Sequence, residues 1–459
     1  MKILGEWMAT KFISVDRDTD FLFPPSVQEW LPDGHLARFV VDVVNQLDLS
    51  RLESAYAGRG SMPYHPSMLL GLLIYGYATG VYSSRAIERA TYDSVAFRYV
   101  AANTHPDHDT INTFRKLFWD EIEAAFRQVL RIAAGMKLVK FGVVSLDGTK
   151  IKANASKHSA LSYGHARKLE AQIEAEIVEL KRRAETAEGL PDDLSLPAEL
   201  QRREDRLEAI RKAKADIEAR AAQRDAPAQA EYEAKVQARE VQRQQGKKPK
   251  GKEPQPPQSG PKDRDQINLT DPESRILPAG SDFVQGYNAQ AAVDAASMLI
   301  LAYDCVQATN DKQQLTPMLD PLGALPQQIG LDKDTPITLA ADTGYFSEHN
   351  VDACEAAQIT PLIAQKREAH SGWLSRRLAP PPVKPDDPTA LEQMRHRLAT
   401  PEGRAAYGLR KCTVEPTFGI IKQVMRFRQF LVRGLRNVQA EWGLVCLAFN
   451  LKRIAVLNG

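Results

Sequence analysis

The sequence predicts an α/β fold: a mixed sheet with flanking helices, preceded by an all-helical amino-terminal region and interrupted by a charged insertion. Three observations predict it. Two apolar runs, Val143 to Leu146 and Pro336 to Ala341, pass straight into Asp147 and Asp342, with glycine close behind at Gly148 and Gly344. Such runs read as buried strands whose last side chain projects from the carboxyl edge of a sheet, where open α/β sheets place their ligands, the glycine then turning the backbone away. Ahead of the first run, apolar residues recur at helical spacing. Between Leu161 and Asp265 they thin out, and alanine and charge take over.

With 459 residues, 43% hydrophobic and 26% charged, the chain is long enough for two or three domains with packed cores. No apolar stretch approaches the roughly 20 residues needed to span a bilayer. Residues Met1 to Lys11 lack the apolar centre of a signal peptide, so a soluble, cytoplasmic protein is expected. Cys305, Cys354, Cys412 and Cys446 are far apart and support neither a zinc site nor a disulfide framework. The net charge of +2 does not announce a nucleic-acid partner; the distribution of charge has to.

Residues 1–138 read as an all-helical domain. Asp33 is placed to cap a helix carrying Leu36, Phe39, Val40, Val43 and Leu47, and a second helix starts at His65-Pro66 and is apolar nearly all round. Short amphipathic pieces follow from Ser84 and Ser94. Asp109 then looks like the cap of a helix bearing Ile111, Phe114 and Phe118, continuing after a break with Ile122 and Phe126. Short helices joined by tight turns suit DNA reading, with Arg85, Arg89, Arg98, Arg115 and Lys116 in reach of phosphates; a helical bundle with solvated cations is an equal reading. His105, His108 and Asp109 are read as a capped turn rather than a metal site.

Residues 161–265 form the insertion. Leu169, Ile173, Ile177 and Leu180 mark one helix and Leu200, Leu207, Ile210 and Ile217 a second, with Gly189-Leu190-Pro191-Asp192-Asp193 between them, which predicts an antiparallel hairpin. Beyond Ala226 the apolar residues nearly vanish, and Gln242 to Lys262 cannot bury enough surface to fold. Leu161 to Gly260 holds 20 basic and 19 acidic residues, so a solvated or oligomerising hairpin is favoured over a basic arm. The run Lys247-Lys248-Pro249-Lys250-Gly251-Lys252 could touch DNA, though such runs are usually just solvated.

Residues 139–160 and 266–459 make up the α/β domain. Phe283 to Asp294 and Met298 to Val306 read as a hairpin, and Asn310-Asp311 as the start of a helix through Leu315, Met318 and Leu319. Then come the Asp342 strand, a helix near Ser347 to Ala357 and the strand Ile359 to Ile363. Three antiparallel strands continuing into parallel βα units is the order of an RNase-H-like fold. There the first and fourth strands are neighbours, so Asp147 and Asp342 are expected side by side.

The last candidate is Glu415. On one helix, Lys411 four residues before it and Lys422 seven after it share its face. Arg395 to Arg436 contains 10 Lys or Arg against Glu402 and Glu415, which makes it the electrostatic footprint for nucleic acid. Arg410, Lys411, Lys422, Arg426, Arg428 and Arg433 are its candidate DNA contacts. A closing amphipathic helix carries Trp442, Leu444, Val445, Leu447, Ala448, Leu451 and Ile454.

These residues carry a resemblance. Leu146-Asp147-Gly148-Thr149-Lys150, Ala341-Asp342-Thr343-Gly344-Tyr345 and Val414-Glu415-Pro416-Thr417-Phe418-Gly419 with Lys422 resemble the acidic motifs of bacterial insertion-sequence transposases of the DDE class. Gly286-Tyr287-Asn288-Ala289-Gln290 and Phe427-Arg428-Gln429-Phe430-Leu431-Val432-Arg433-Gly434 are similar to further stretches of that family. The spacing departs from the family at one place. Four residues separate Arg410 from Glu415 where three are usual, so either Lys411 takes the arginine's place or the helix entry is shifted.

The resemblance implies a DNA transposase. Asp147, Asp342 and Glu415 would be its catalytic and metal-binding residues, holding two Mg²⁺ ions per site with Mn²⁺ as a substitute. Its partners would be double-stranded DNA, namely the terminal inverted repeats and the target, engaged by a homodimer and not by a membrane protein. A metal-dependent nuclease without strand transfer and an inactive DNA-binding relic are the alternatives. The Asp147-Gly148-Thr149 triplet also occurs in phosphatases with an aspartyl nucleophile, but those need a second Asp two residues away, where this chain has Ser145 and Thr149.

Overall fold

The computed structural model describes residues 26–458 apart from 55–62, 118, 186–194, 245–252, 258, 281, 366–382 and 384–385. The expected Gly189 to Asp193 turn, the Lys247 to Lys252 run, Phe118 and Met1 to Lys11 lie outside the described residues.

The main sheet comprises β1 (Val143–Lys152), β4 (Arg275–Ala279), β5 (Asp282–Asp294), β6 (Ile300–Val306), β7 (Ile337–Ala341) and β8 (Ile359–Ile363). A separate ribbon pairs β2 (Ala160–Ser162) with β3 (Gln266–Asn268) and closes the insertion at its root. Across the main sheet the order is β6, β5, β1, β7, β8, and β4 pairs the first half of β5 on the edge that β6 takes further along. β5 is antiparallel to β1, β4 and β6, whereas β7 runs parallel to β1 and β8. Three antiparallel strands followed by two parallel ones is the expected RNase-H-like arrangement.

β1 does not stop at Asp147. It continues through Gly148, which faces Gln290 in the β5 ladder, as far as Lys152. Gly148 therefore makes no turn. A Cβ there would collide with the Gln290 amide and stand 2.8 Å from both Asn288 Oδ1 and Asp311 Oδ1. The residue is glycine to leave room for polar side chains that the sequence disperses.

Caps also differ from expectation. The helix Leu36–Val44 is capped by His35, whose Nδ1 accepts from Ala37 N at 3.1 Å, and not by Asp33. Asp107, not Asp109, caps His108–Leu117, accepting from Thr110 N at 2.8 Å. A side-chain acceptor satisfies a free first-turn N–H only from just ahead of it, and these are the residues so placed. The helix expected at Asn310-Asp311 begins later, as Thr316–Gln328 with Pro317 in its first turn, so Asp311 stays in a loop.

The helix Leu435–Asn458 organises the interior. It packs on β6 and on the helices Pro66–Thr79 and Trp119–Gly135, and its central residues are buried on every side rather than on one face. One hydrophobic core thus runs from the amino-terminal helices into the sheet. Each fully buried Leu or Val contributes roughly 1.5–3 kcal/mol to this joint. Glu441 is buried within it and accepts from Tyr77 Oη at 2.6 Å and Leu431 N at 2.8 Å, so the polar group is satisfied by both sides of the joint.

In the insertion, helices Tyr163–Glu185 and Leu196–Gln244 pack antiparallel around a small separate core of Ile173, Ile177, Ile210 and Ile217. Ion pairs lace them together: Glu170 with Arg211 and Lys214, Glu176 with Arg203, and Lys181 with Glu204. The second helix runs on past Ala226 and through Pro227 to Gln244, further than its apolar pattern implies. Its last part is mostly exposed, so alanine, glutamine, glutamate and arginine propensity with pairs such as Gln229–Glu233 sustains it rather than burial. No helix among the described residues is long and apolar enough to cross a membrane.

Candidate active site

Parallel pairing of β1 with β7 puts Leu146 opposite Ala341, so the next residues, Asp147 within β1 and Asp342 just past β7, stand at one level. The ladder between the strands ends there, which opens the space between the two acids. Asp147 Oδ1 accepts from Gly148 N at 2.8 Å, and Asp342 Oδ1 accepts from Gly344 N at 2.7 Å. Burial pushes the Asp147 carboxyl up to about 6, with Asp342 and Asp311 adding to the rise and the Gly148 amide and Arg410 opposing it. A buried carboxylate among like charges favours a bound cation.

Glu415 comes from the helix Arg410–Gly419. Val414, Thr413, Thr417 and Phe418 are buried and fix the helix against β1 and β5, leaving Glu415 on the open side. Thr417 Oγ1 donates to Thr413 O at 2.9 Å and so carries no unmet polar group inward. The preceding helix ends at Gly408, and Arg410 begins a new one. From this shifted entry Arg410 Nη1 donates to Asp147 Oδ2 at 2.9 Å while its Nη2 pairs with Glu415 Oε1 at 3.4 Å. Lys411 is exposed, with no ion pair among the described residues.

The other candidate cations divide. Lys422 lies in a π-helical turn, Ile420–Val424, that follows the Glu415 helix, and its Nζ donates to Thr149 Oγ1 and, at 3.1 Å, to Lys150 O. Burial and then Lys150 hold the Lys422 ammonium below its usual value. Arg428 donates to Lys422 O at 3.0 Å and Arg433 to Asn154 O at 3.0 Å, but both remain exposed, as does Arg426. In the amino-terminal helices Arg115 is buried and donates to Asn112 Oδ1 at 2.9 Å, which removes it from the phosphate candidates. Arg98 lies 4.8 Å over the Trp30 ring. Arg85, Arg89 and Lys116 stay exposed. His108 Nδ1 lies 2.8 Å from Glu88 Oε2 and His105 stacks on Tyr92, which accounts for that turn without a metal.

A group beside Gly148 was not legible as part of the site. Asn288 and Gln290, two apart on β5, turn their amides to the same face and are fully buried. Their Nδ2 and Nε2 donate to Asp311 Oδ1 at 2.6 and 2.9 Å, and Lys150 Nζ approaches the same oxygen at 3.5 Å. Tyr345 donates to Gln290 Oε1. The signals in the sequence were two amides at alternate positions of a mostly apolar strand and the likeness of Gly286 to Gln290 to a stretch of the transposase family, and neither pointed to Asp311.

No three His, Cys, Asp or Glu side chains among the described residues already close on one point as a metal cage. The residues nonetheless fit a hard divalent cation. Asn288 Oδ1 is a buried acceptor with no donor among the described residues, Asp147 and Asp342 stand at one level of adjacent strands, and a cation, the guanidinium of Arg410, already bridges Asp147 and Glu415. Oxygen donors of this kind suit Mg²⁺ or Mn²⁺ rather than softer metals.

An RNase-H-like sheet with one aspartate midway along β1, a second just past the end of β7 and a glutamate delivered by a late helix has the arrangement expected of a polynucleotidyl transferase of the DDE class. Residues 25–117 match the family model described as Transposase domain (DUF772), and residues 263–451 match Transposase DDE domain. The chain belongs to the DDE transposases of insertion sequences. Asp342 and Glu415 lie within the second match, whereas Asp147 precedes it across the insertion. No curated protein and no solved structure matches the chain. Members of this family act on DNA and generally use divalent metal ions.

Proposed function

We propose that the protein binds the terminal inverted repeats of its own element, cleaves the DNA at the element's ends and joins the freed 3′ ends to target DNA. The observation that carries this reading is the meeting of Asp147 and Asp342 at one level of adjacent parallel strands, with Glu415 tied to Asp147 through Arg410. Asp147, Asp342 and Glu415 hold two Mg²⁺ ions, with Mn²⁺ as a substitute. When bound, such ions activate the nucleophile and stabilise the departing 3′ oxygen. Arg410 keeps Asp147 and Glu415 oriented. In the first step the oxygen of water bonds to phosphorus, the P–O3′ bond breaks and the 3′ oxygen takes a proton. In the second the new 3′ hydroxyl attacks a target phosphodiester and releases a target 3′ hydroxyl, so the number of phosphodiester bonds is conserved in that step.

Residues 1–138 serve as the end-binding domain, with Arg85, Arg89 and Lys116 toward phosphate. Within 139–160 and 266–459, the catalytic domain, Lys411, Arg426, Arg428 and Arg433 contact the DNA backbone, while Lys422 braces β1 beside it. Two ends cut together call for a homodimer on DNA. The test is cleavage and strand transfer with a duplex carrying the repeat from the element's own flanks, in Mg²⁺. Wild type should cut and join, and Asp147→Ala, Asp342→Ala and Glu415→Ala should bind without cutting. A variant that cuts normally removes its residue from the site; a wild type that cuts but never joins would make the protein a nuclease.

A further inference from the structure

Asp311 is the carboxylate that the three acidic motifs do not include, and the fold places it among them. Its Oδ1 is held by two fully buried amides, Asn288 Nδ2 at 2.6 Å and Gln290 Nε2 at 2.9 Å, with Lys150 Nζ at 3.5 Å. Three donors on one oxygen fix the orientation of the group. Oδ2 makes no hydrogen bond among the described residues and lies near the turn that follows β7: Oδ2 and the Asp311 Cβ are each 3.8 Å, and Asp342 Oδ1 3.0 Å, from the point where a Cβ on Gly344 would stand. On the other side, Asn288 Oδ1 and Asp311 Oδ1 both lie 2.8 Å from the corresponding point at Gly148, next to Asp147. That Asn288 oxygen is fully buried and has no donor. Flipping the amide would not relieve it, because an oxygen would then face the Asp311 carboxylate. A buried acceptor left orphaned is costly unless something positive meets it. Carboxylate oxygens of Asp311 thus stand beside both glycines, with the Asn288 oxygen and the Gln290 amide nitrogen next to them at Gly148.

We propose that Asp311 is a fourth carboxylate of the metal site, ligating a divalent cation through Oδ2 beside Asp342, with Asn288 Oδ1 facing the same cluster. The proposal rests on the metal-dependent function proposed for Asp147, Asp342 and Glu415 and extends it to a residue outside the three motifs. Asn288 and Gln290 are positioning residues in this arrangement: they orient the carboxylate rather than meet the substrate.

The experiment measures Mn²⁺ binding by electron paramagnetic resonance. It uses the full chain on a duplex that already ends at the repeat, so that no bond is cut. Wild type, Asp311→Asn and Asp342→Asn are compared, with thermal melting of each. Asp311→Asn should lose one bound ion or weaken Mn²⁺ binding by roughly 10–100-fold, with an unchanged melting curve. Asp311→Cys should in turn bind Cd²⁺ and show a thiolate-to-cadmium absorption band absent from wild type, which has the same four native cysteines, because a thiolate favours softer ions. If Asp342→Asn loses Mn²⁺ while Asp311→Asn binds like wild type, the fourth ligand is wrong and the triad stands. If neither variant differs from wild type, or wild type binds no Mn²⁺, both the fourth ligand and the triad fail. Weakened Mn²⁺ binding without a cadmium band, or a collapse of melting in both Asp311 variants, would make Asp311 a structural anchor and overturn direct ligation.

Discussion

Arg410 Nη1 donates to Asp147 Oδ2 at 2.9 Å, across 263 positions of sequence. The side chains are only 13% and 20% exposed, so water screens the pair weakly. The same guanidinium reaches Glu415, which makes Arg410 the link between the strand acid and the helix acid.

Replacing Arg410 by alanine should therefore slow DNA cleavage by roughly 10–100-fold, the usual cost of losing a group that orients metal ligands. Lys411→Ala, on an exposed neighbour, should weaken DNA binding a few-fold at most and leave the cleavage rate of bound DNA intact. Single-turnover rates on saturating DNA check both. Equal rate losses in the two variants would refute the assignment of Arg410 over Lys411.

Gly148→Ala tests the space requirement. The added methyl meets Gln290, Asn288 and Asp311, all held by hydrogen bonds, and displacing them should cost about 1–3 kcal/mol, as overpacking does. Cleavage should fall at least about tenfold, since a shift near 1.4 kcal/mol in the barrier already does that. A variant with wild-type melting and wild-type rate would show that the cluster yields freely.

The joint between the amino-terminal helices and the sheet should respond to pH through Glu441. Burial pushes its carboxyl above its ordinary 4.5, against Tyr77, Arg115 and the amides of Leu431 and Val432. The folded state then holds this proton more tightly than the unfolded chain. Its stabilising contribution is complete below the ordinary value and is lost as pH rises through the raised one. In Glu441→Gln that dependence disappears, so the melting temperature of wild type minus variant should decrease as pH rises above the ordinary carboxylate range. A difference that stays flat or grows would contradict a raised Glu441 carboxyl.

The insertion should loosen without the sheet. Ile210 is buried in the hairpin's own core, separate from the main one. Ile210→Ala should cost roughly 2–5 kcal/mol there. Hydrogen exchange should quicken across 163–185 and 196–221 while β1 and β5 stay protected; uniform quickening would mean that the two cores unfold as one.

The sequence by itself determined the acids and the order of the strands. Asp147 and Asp342 follow apolar runs that must be buried, and that order made β1 and β7 neighbours. Periodicity also located the insertion's two helices, because burial patterns and residue chemistry are short-range properties, readable within one element. Tertiary structure alone decided which groups meet. It chose Arg410 over Lys411, because the rotation of the late helix is set where Val414 and Phe418 pack, and not by spacing from Glu415. It buried Arg115, joined the amino-terminal helices to the sheet through Glu441, and drew Asp311 to Asn288 and Gln290. Closure of the sheet brings these partners together, and a partner 23 or 364 positions away leaves no mark on the local pattern from which a sequence is read.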